Sequence, residues 1–196
     1  PREKRSRRRM KHYYLPFLPM AKIDYLHLLA LYDLAEYQTD TGAFDTIRYT
    51  SSAALAEQVK LSSSTISRIL KSEKYADFLI VDREHKVITL NNNFRKSVNQ
   101  PFVMLTAAEV KLIREIEDNL FAKYLIYLKY YCGFTKDKKN DFTAKQFLAA
   151  CGYSTSSNDY VSKVSEYNGI LLANGIIRIE KYTDELGHTR NRYTFV

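Results

Sequence analysis

One stretch of the chain combines hydroxyl and guanidinium side chains at the spacing of an exposed helix face. Between residues 62 and 71, these polar residues are interleaved with the apolar residues Ile66, Ile69 and Leu70. A helix there buries the apolar residues and exposes a polar face. That face consists of Ser63, Ser64, Thr65, Ser67, Arg68 and Lys71. No carboxylate follows before Glu73, so the face is suited to contact a groove of DNA.

Thr65 and Arg68 are the predicted base-reading residues of this face. An arginine can donate two parallel hydrogen bonds to guanine, and a threonine methyl group can contact thymine. The alternative is a serine-rich helix that only caps its own start and is solvated. Ser62 is the predicted N-cap residue.

A second short helix precedes this one, and a β-ribbon follows it. A helix capped by Ser51 or Ser52 and ending at about Val59 is the predicted first helix of a helix-turn-helix, and Lys60-Leu61-Ser62 is the predicted turn. Residues 78–81 and 86–90 read as two strands joined by a charged turn. The cations of that turn are predicted to contact phosphate or the minor groove, unless the turn is only solvated. They are Arg83, His85 and Lys86.

The same order of elements returns about 92 residues later. Residues 147–154 repeat the pattern of residues 55–62, with Gly152 in place of Lys60. A longer helix and two further strands follow, and each copy has an apolar helix about 25 residues upstream. Such self-similarity predicts an internal repeat. By analogy, Lys163, Arg190 and Arg192 are predicted DNA contacts, the two arginines as a phosphate clamp on one side of a strand. The second helix also carries Asp159 and Glu166, so its DNA-binding face is less obvious than that of the first.

These motifs resemble a known family. Residues 55–57 and 61–70 resemble the helix-turn-helix of bacterial winged-helix regulators, although Lys60 stands where glycine is usual. A lysine there must adopt a strained turn backbone or form a different turn. Two copies in one small chain resemble the replication initiators of plasmids and phages. The opening Tyr13-Tyr14-Leu15-Pro16 is similar to the start of the initiator domain of some Gram-positive plasmids. The resemblance implies two tandem winged-helix domains, mainly α with small β ribbons, in the α+β class.

The positive charge is concentrated at the start of the chain. Of the net charge of +8, residues 1–11 carry seven basic side chains against one acidic. We therefore predict a flexible basic arm over residues 1–12, followed by domains over residues 13–97 and 98–196. Such an arm is attracted to polyphosphate without reading sequence, and the alternative is a solvated tail. Its predicted DNA contacts are Arg5, Arg7, Arg8 and Arg9.

Several function classes lack their residues. The histidines have no paired ligand spacing and the glycines form no phosphate loop, which predicts no metal, no nucleotide cofactor and no enzymatic activity. No apolar run is long enough to cross a membrane. Cys132 and Cys151 have no metal-like spacing, which predicts reduced thiols in a cytoplasmic protein.

The sequence therefore predicts a sequence-specific double-stranded DNA-binding protein that initiates replication at repeated origin sites. A transcriptional repressor of a mobile element uses the same chemistry and is the first alternative. A winged-helix adaptor that binds proteins is the alternative from another class. The predicted partners are double-stranded DNA and a second copy of the chain. Four tyrosines at helical spacing predict either a core or a dimer face, namely Tyr124, Tyr127, Tyr130 and Tyr131.

Overall fold

A computed structural model describes residues 11–17, 20–40, 43–76, 78–90, 101–133, 135 and 139–196. Within these residues the chain forms seven α-helices and three small antiparallel sheets. The helices are α1 (Tyr25–Leu34), α2 (Ser52–Gln58), α3 (Ser63–Lys71), α4 (Ala107–Ile116), α5 (Asn119–Gly133), α6 (Ala144–Ala150) and α7 (Asn158–Ala173). The strands are β1 (Tyr13–Pro16), β2 (Glu36–Gln38), β3 (Ala43–Arg48), β4 (Leu79–Asp82), β5 (Val87–Leu90), β6 (Phe102–Leu105), β7 (Lys139–Asp141), β8 (Ile177–Thr183) and β9 (Thr189–Phe195). The fold therefore combines helices with small antiparallel sheets, and this part of the predicted fold class is confirmed.

The two halves of the chain have the same order of elements. In the first half, an apolar helix α1 precedes strand β3, helices α2 and α3, and strands β4 and β5. In the second half, α5 precedes β7, α6, α7, β8 and β9. The sheets have the orders β2-β3-β5-β4 and β7-β9-β8, so they match once β2 is set aside. The repeat predicted from the sequence is present in the structure.

The turns that follow α2 and α6 have the same backbone hydrogen bonds. The amides at positions 60 and 61 donate to carbonyls three and five residues earlier, at 3.1 and 2.9 Å. Those at positions 152 and 153 do the same, at 3.0 and 2.9 Å. Lys60 has φ of 57° and Gly152 has φ of 74°. Glycine adopts this left-handed backbone freely, but it costs lysine about 1–2 kcal/mol, so Lys60 keeps the strained turn.

The two halves share a core around α5. Residues 120–128 of this helix are all buried, and α1 packs against it. The amide of Tyr25, at the start of α1, donates to Asn119 Oδ1 at 2.8 Å. Strand β1 pairs with β6, which lies about 90 residues later. The predicted boundary at residues 97 and 98 lies outside the described residues, and the division into domains stays a prediction.

The tyrosines of α5 belong to this core. Tyr124 and Tyr127 are buried and contact the rings of Phe142 and Phe147. Tyr130 is half-buried and stacks on Phe17, with the ring centroids 3.7 Å apart. Of the two predicted roles, the structure gives these rings a packing role.

Among the described residues, no helix has the length and apolar content needed to cross a membrane.

Candidate nucleic-acid interface

Helix α3 begins with a network of hydroxyl groups. Ser62 is the N-cap residue, as predicted, and its Oγ accepts a hydrogen bond from the amide of Thr65 at 3.1 Å. The Ser62 hydroxyl also donates to Thr65 Oγ1 at 2.8 Å and lies 2.9 Å from the hydroxyl of Ser64. Thr65 is half-buried, and its hydroxyl is engaged at the helix start. The predicted contact of its methyl group with thymine stays a prediction.

The remaining residues of α3 separate into a buried side and an exposed side. Ile66 and Ile69 are buried in the core and anchor the helix. Arg68 is exposed and makes no ion pair or hydrogen bond with any described residue. The other predicted contacts on this helix are also accessible. Ser63, Ser64 and Lys71 are exposed, and Ser67 is half-buried.

The β4–β5 turn, residues 83–86, packs beside α3. The Arg83 guanidinium donates through Nη2 to the carbonyl of Leu70, near the end of α3, at 3.3 Å. Lys86 has φ of 54°, and its Nζ donates to the carbonyl of Thr50, before α2, at 2.7 Å. These two contacts hold the turn against both helices. Arg83 and Lys86 line one side of a groove of about 340 Å³, and Ser67 and Lys71 line the other.

His85, at the same turn, is tied to a carboxylate. Its Nδ1 lies 2.8 Å from Asp82 Oδ2, and its backbone amide donates to Asp82 Oδ1 at 2.9 Å. The hydrogen bonds from the His85 amide and ring hold the pKa of Asp82 below its ordinary value. With His85 held by Asp82, Arg83 and Lys86 are the cations of this turn that can contact phosphate. The exposed carboxylate of Glu84 offsets one of their two charges.

Helix α7 differs from α3 at the corresponding positions. Its N-cap residue is Ser157, so the turn before it is three residues longer than the turn before α3. Counting from the caps, Lys163 corresponds to Arg68, and Asp159 and Glu166 correspond to Ser64 and Lys71. The second helix therefore places two carboxylates where the first has a hydroxyl and a cation.

Lys163 is also engaged within the protein. Its Nζ lies 3.2 Å from Asp118 Oδ2, which accepts a second hydrogen bond from the Tyr167 hydroxyl at 2.7 Å. Burial raises the pKa of Asp118, but the hydrogen bonds from Tyr167, the Leu120 amide and Lys163 outweigh this and hold it below its ordinary value. Lys163 therefore helps to join α7 to the turn before α5.

The two arginines of the predicted phosphate clamp are both ion-paired. Arg190 Nε lies 2.8 Å from Asp184 Oδ2, and this hydrogen bond is the main cause that lowers the pKa of Asp184 to about 2. Arg192 Nε lies 3.0 Å from Asp141 Oδ1, and its guanidinium lies 4.5 Å from the ring centroid of Tyr182. A phosphate would have to compete with these carboxylates, whereas Arg68 has no competitor among the described residues.

The four arginines of the predicted arm lie outside the described residues. They are Arg5, Arg7, Arg8 and Arg9. The chain is described from Lys11, whose Nζ donates to the carbonyls of Asp33 and Ala35, at the end of α1, at 3.1 and 3.2 Å. The described part of the chain therefore begins beside the end of α1 that is nearest to β2, and the arm stays a prediction.

Comparison of this chain with known proteins gave no match. No protein-family model matches the chain, and neither curated proteins nor solved structures gave a match. In the part of the chain that the structure describes, no group of three histidine, cysteine or acidic residues could hold a metal ion. Cys132 and Cys151 are free and buried.

The sequence did not indicate the partners of the second-half cations. Lys163 and Asp118 are 45 residues apart, and Arg192 and Asp141 are 51 residues apart, so no local pattern connects them. Asp184, the partner of Arg190, is the exception. An aspartate that opens a turn is a recognised local signal, because its side chain accepts a hydrogen bond from the backbone two residues later. The contact of Arg83 with the end of α3 also depends on folding that brings the ribbon onto the helix.

Proposed function

We propose that this chain is a sequence-specific double-stranded DNA-binding protein that reads bases with α3. In this proposal each half is a winged helix, with α2 and α3 as the helix-turn-helix and the β4–β5 turn as the wing. The repeated element order and the matching sheet orders support that assignment. Helix α3 enters the major groove, and Arg83 and Lys86 contact the backbone beside it.

The exposed, unpaired guanidinium of Arg68 is the observation that carries the proposal. It lies on a helix face without a carboxylate, and the buried side chains of Ile66 and Ile69 hold that helix in place. A rigid helix that presents a free guanidinium suits a bidentate contact with guanine. No other exposed helix face among the described residues combines a free arginine with a hydroxyl-rich start.

The second half differs in a way that limits how much DNA one chain reads. Helix α7 carries Asp159 and Glu166 on its accessible side, and carboxylates repel the phosphate backbone. We therefore assign one half-site to each chain, read by α3. Recognition of a repeated or symmetric site then needs two copies of the chain.

Both predicted roles use this surface. Replication initiation requires binding to repeated origin sites, and repression requires an operator, so the proposal concerns the DNA-binding step common to both. The resemblance to the replication initiators of plasmids and phages favours initiation. The predictions that the chain has no enzymatic activity, takes no metal or cofactor and is cytoplasmic stay predictions.

Selection of bound sites from a random duplex library tests the proposal. We expect one short motif to be enriched, and binding to it to exceed binding to a scrambled duplex. If the full chain binds no duplex even at low salt, DNA binding is refuted and the adaptor alternative is favoured. If every duplex binds equally well, the reading role of α3 is refuted.

A further inference from the structure

Strand β8 has one edge without a partner strand. It pairs with β9 along its whole length, and among the described residues no strand pairs with its other side. Residues 178–183 are all exposed or half-buried, so this edge is open to solvent. An open edge presents backbone amides and carbonyls to which another strand can bind.

The hydrogen bonds at the two ends of the β8–β9 ladder show which backbone groups face this edge. The amide of Val196 donates to the carbonyl of Ile176 at 2.9 Å, and the amide of Asp184 donates to the carbonyl of His188 at 2.9 Å. Both bonds join residues that lie directly opposite each other in the β8–β9 register. Such bonds recur at every second residue, so the even-numbered residues of β8 bond to β9. The backbone groups that face the free edge belong to Ile177, Ile179 and Lys181.

The side chains beside this edge include one cation and one anion. Arg178 and Glu180 lie on the same face of the sheet, and Ile179 lies between them on the face that packs against the core. Arg178 is exposed and makes no ion pair or hydrogen bond with a described residue. The Glu180 carboxylate is also exposed, and its Oε2 makes only a long contact with Lys139 Nζ, at 3.9 Å. Opposite charges therefore flank Ile179 along the edge.

These charges select one register for the pairing of β8 with β8 of a second copy. In a two-fold antiparallel pair, one residue lies opposite itself. If that residue is Arg178, Glu180 or Lys181, like charges lie opposite each other, which is unfavourable. If it is Ile179, each Arg178 lies opposite Glu180 of the other copy, and the two isoleucines meet on the core side. This register also pairs odd-numbered residues with each other, and these are the residues whose backbone groups face the edge.

We propose that two copies of this chain pair through β8, antiparallel and centred on Ile179. The two three-stranded sheets then form one continuous sheet. The contact uses the same residues of both copies, so it closes at two copies. Backbone hydrogen bonds and the isoleucine contact hold the strands together, and the two pairs of Arg178 with Glu180 set the register. One short strand from each copy is a small contact, so the association is weak and grows with concentration. It requires no DNA and does not depend on the proposed function.

Sedimentation velocity of the full chain without DNA, over a range of concentrations, tests the proposal. We expect the sedimentation coefficient of the wild type to rise towards that of a dimer. Lys181→Pro removes one amide from the free edge and leaves the β8–β9 ladder intact, so it should weaken association at least tenfold. Lys181→Ala is the matched control, because it loses the same side chain and keeps the amide. Circular dichroism verifies that both variants are folded. A wild type that stays monomeric, or a proline variant that associates as the alanine variant does, overturns the proposal.

Charge exchange tests the register. Arg178→Glu and Glu180→Arg each place like charges opposite each other, so each variant alone should associate at least tenfold more weakly than the wild type. An equimolar mixture of the two should form a 1:1 complex, because every facing pair is then of opposite charge. The two substitutions combined in one chain should restore association for the same reason. Glu185→Arg is the control, since it makes the same change of charge as Glu180→Arg outside the paired residues, and it should associate like the wild type. If the mixture forms no complex, or the combined variant restores nothing, the pairing centred on Ile179 is wrong.

Discussion

Replacement of Arg68 by alanine separates DNA reading from folding. Because Arg68 is exposed and makes no hydrogen bond or ion pair with a described residue, the free energy of unfolding should change by no more than about 0.5 kcal/mol on its replacement. A bidentate contact with guanine contributes about 1–3 kcal/mol of discrimination. Arg68→Ala should therefore weaken binding to the selected site by about 5- to 150-fold, and it should relax the preference at one base position.

Lys163→Ala is the matched control for this variant. Lys163 occupies the corresponding position of α7 and also carries one positive charge, but it is paired with Asp118. Its loss should cost at most about 1 kcal/mol of stability, as for other exposed ion pairs, and should leave DNA affinity unchanged. Fluorescence anisotropy with the selected site and a scrambled duplex, at one fixed salt concentration, gives all the required affinities.

Two results would refute this reasoning. If Arg68→Ala weakens binding to the selected and scrambled duplexes by the same factor, Arg68 contacts only phosphate. If Lys163→Ala weakens binding as much as Arg68→Ala does, the assignment of one half-site to each chain is wrong.

Three further predictions concern the arm, the turns and acid stability. Removal of residues 1–9 should weaken binding to every duplex alike. In salt titrations, the slope of log affinity against log salt concentration should fall by roughly 0.9 for each phosphate that the arm neutralises. A loss of affinity confined to the selected site would contradict this. Lys60→Gly should raise the free energy of unfolding by about 0.5–1 kcal/mol in urea titrations, because it relieves left-handed strain. Gly152→Ala should lower the free energy of unfolding by about 1–2 kcal/mol, because it creates such strain. Changes of the same sign in both variants would refute the strained turn. The folded-state pKa of Asp184, about 2, lies below its ordinary value of 3.8 because Arg190 donates to it. Its contribution to stability is therefore complete above pH 3.8 and is lost as the pH falls through 2. Asp184→Asn should therefore lose less stability than the wild type on acid titration. An acid profile that is the same in both proteins would count against the pairing of Asp184 with Arg190.

The parts of the interface that depend on neighbouring residues could be predicted from the sequence. Helix α3 follows from the Ser62 cap and from the spacing of Ile66 and Ile69, and all three have the predicted positions. The alignment of Lys60 with Gly152 indicates either a strained turn or a different turn, and the structure has the strained turn. These features are local because caps, helical spacing and turn backbones involve residues a few positions apart.

The parts that depend on distant pairing could not be predicted. The ion pair of Arg192 with Asp141 forms because β7 and β9 become neighbours in one sheet. The pair of Lys163 with Asp118 forms because α7 packs near the turn between α4 and α5. Charge counts treat each cation as free, so the ion pairs of the second-half cations could not be foreseen from the sequence.

The most direct test of the central claim uses the selected duplex with single guanines replaced by 7-deazaguanine. This replacement removes the N7 acceptor from the major groove and leaves base pairing intact, so it deletes one half of the proposed contact with Arg68. We predict that one substituted position weakens binding of the wild type and has no effect on Arg68→Ala, so that the two effects are not additive. Equal reductions in affinity for both proteins at every guanine would contradict the claim that Arg68 reads a base.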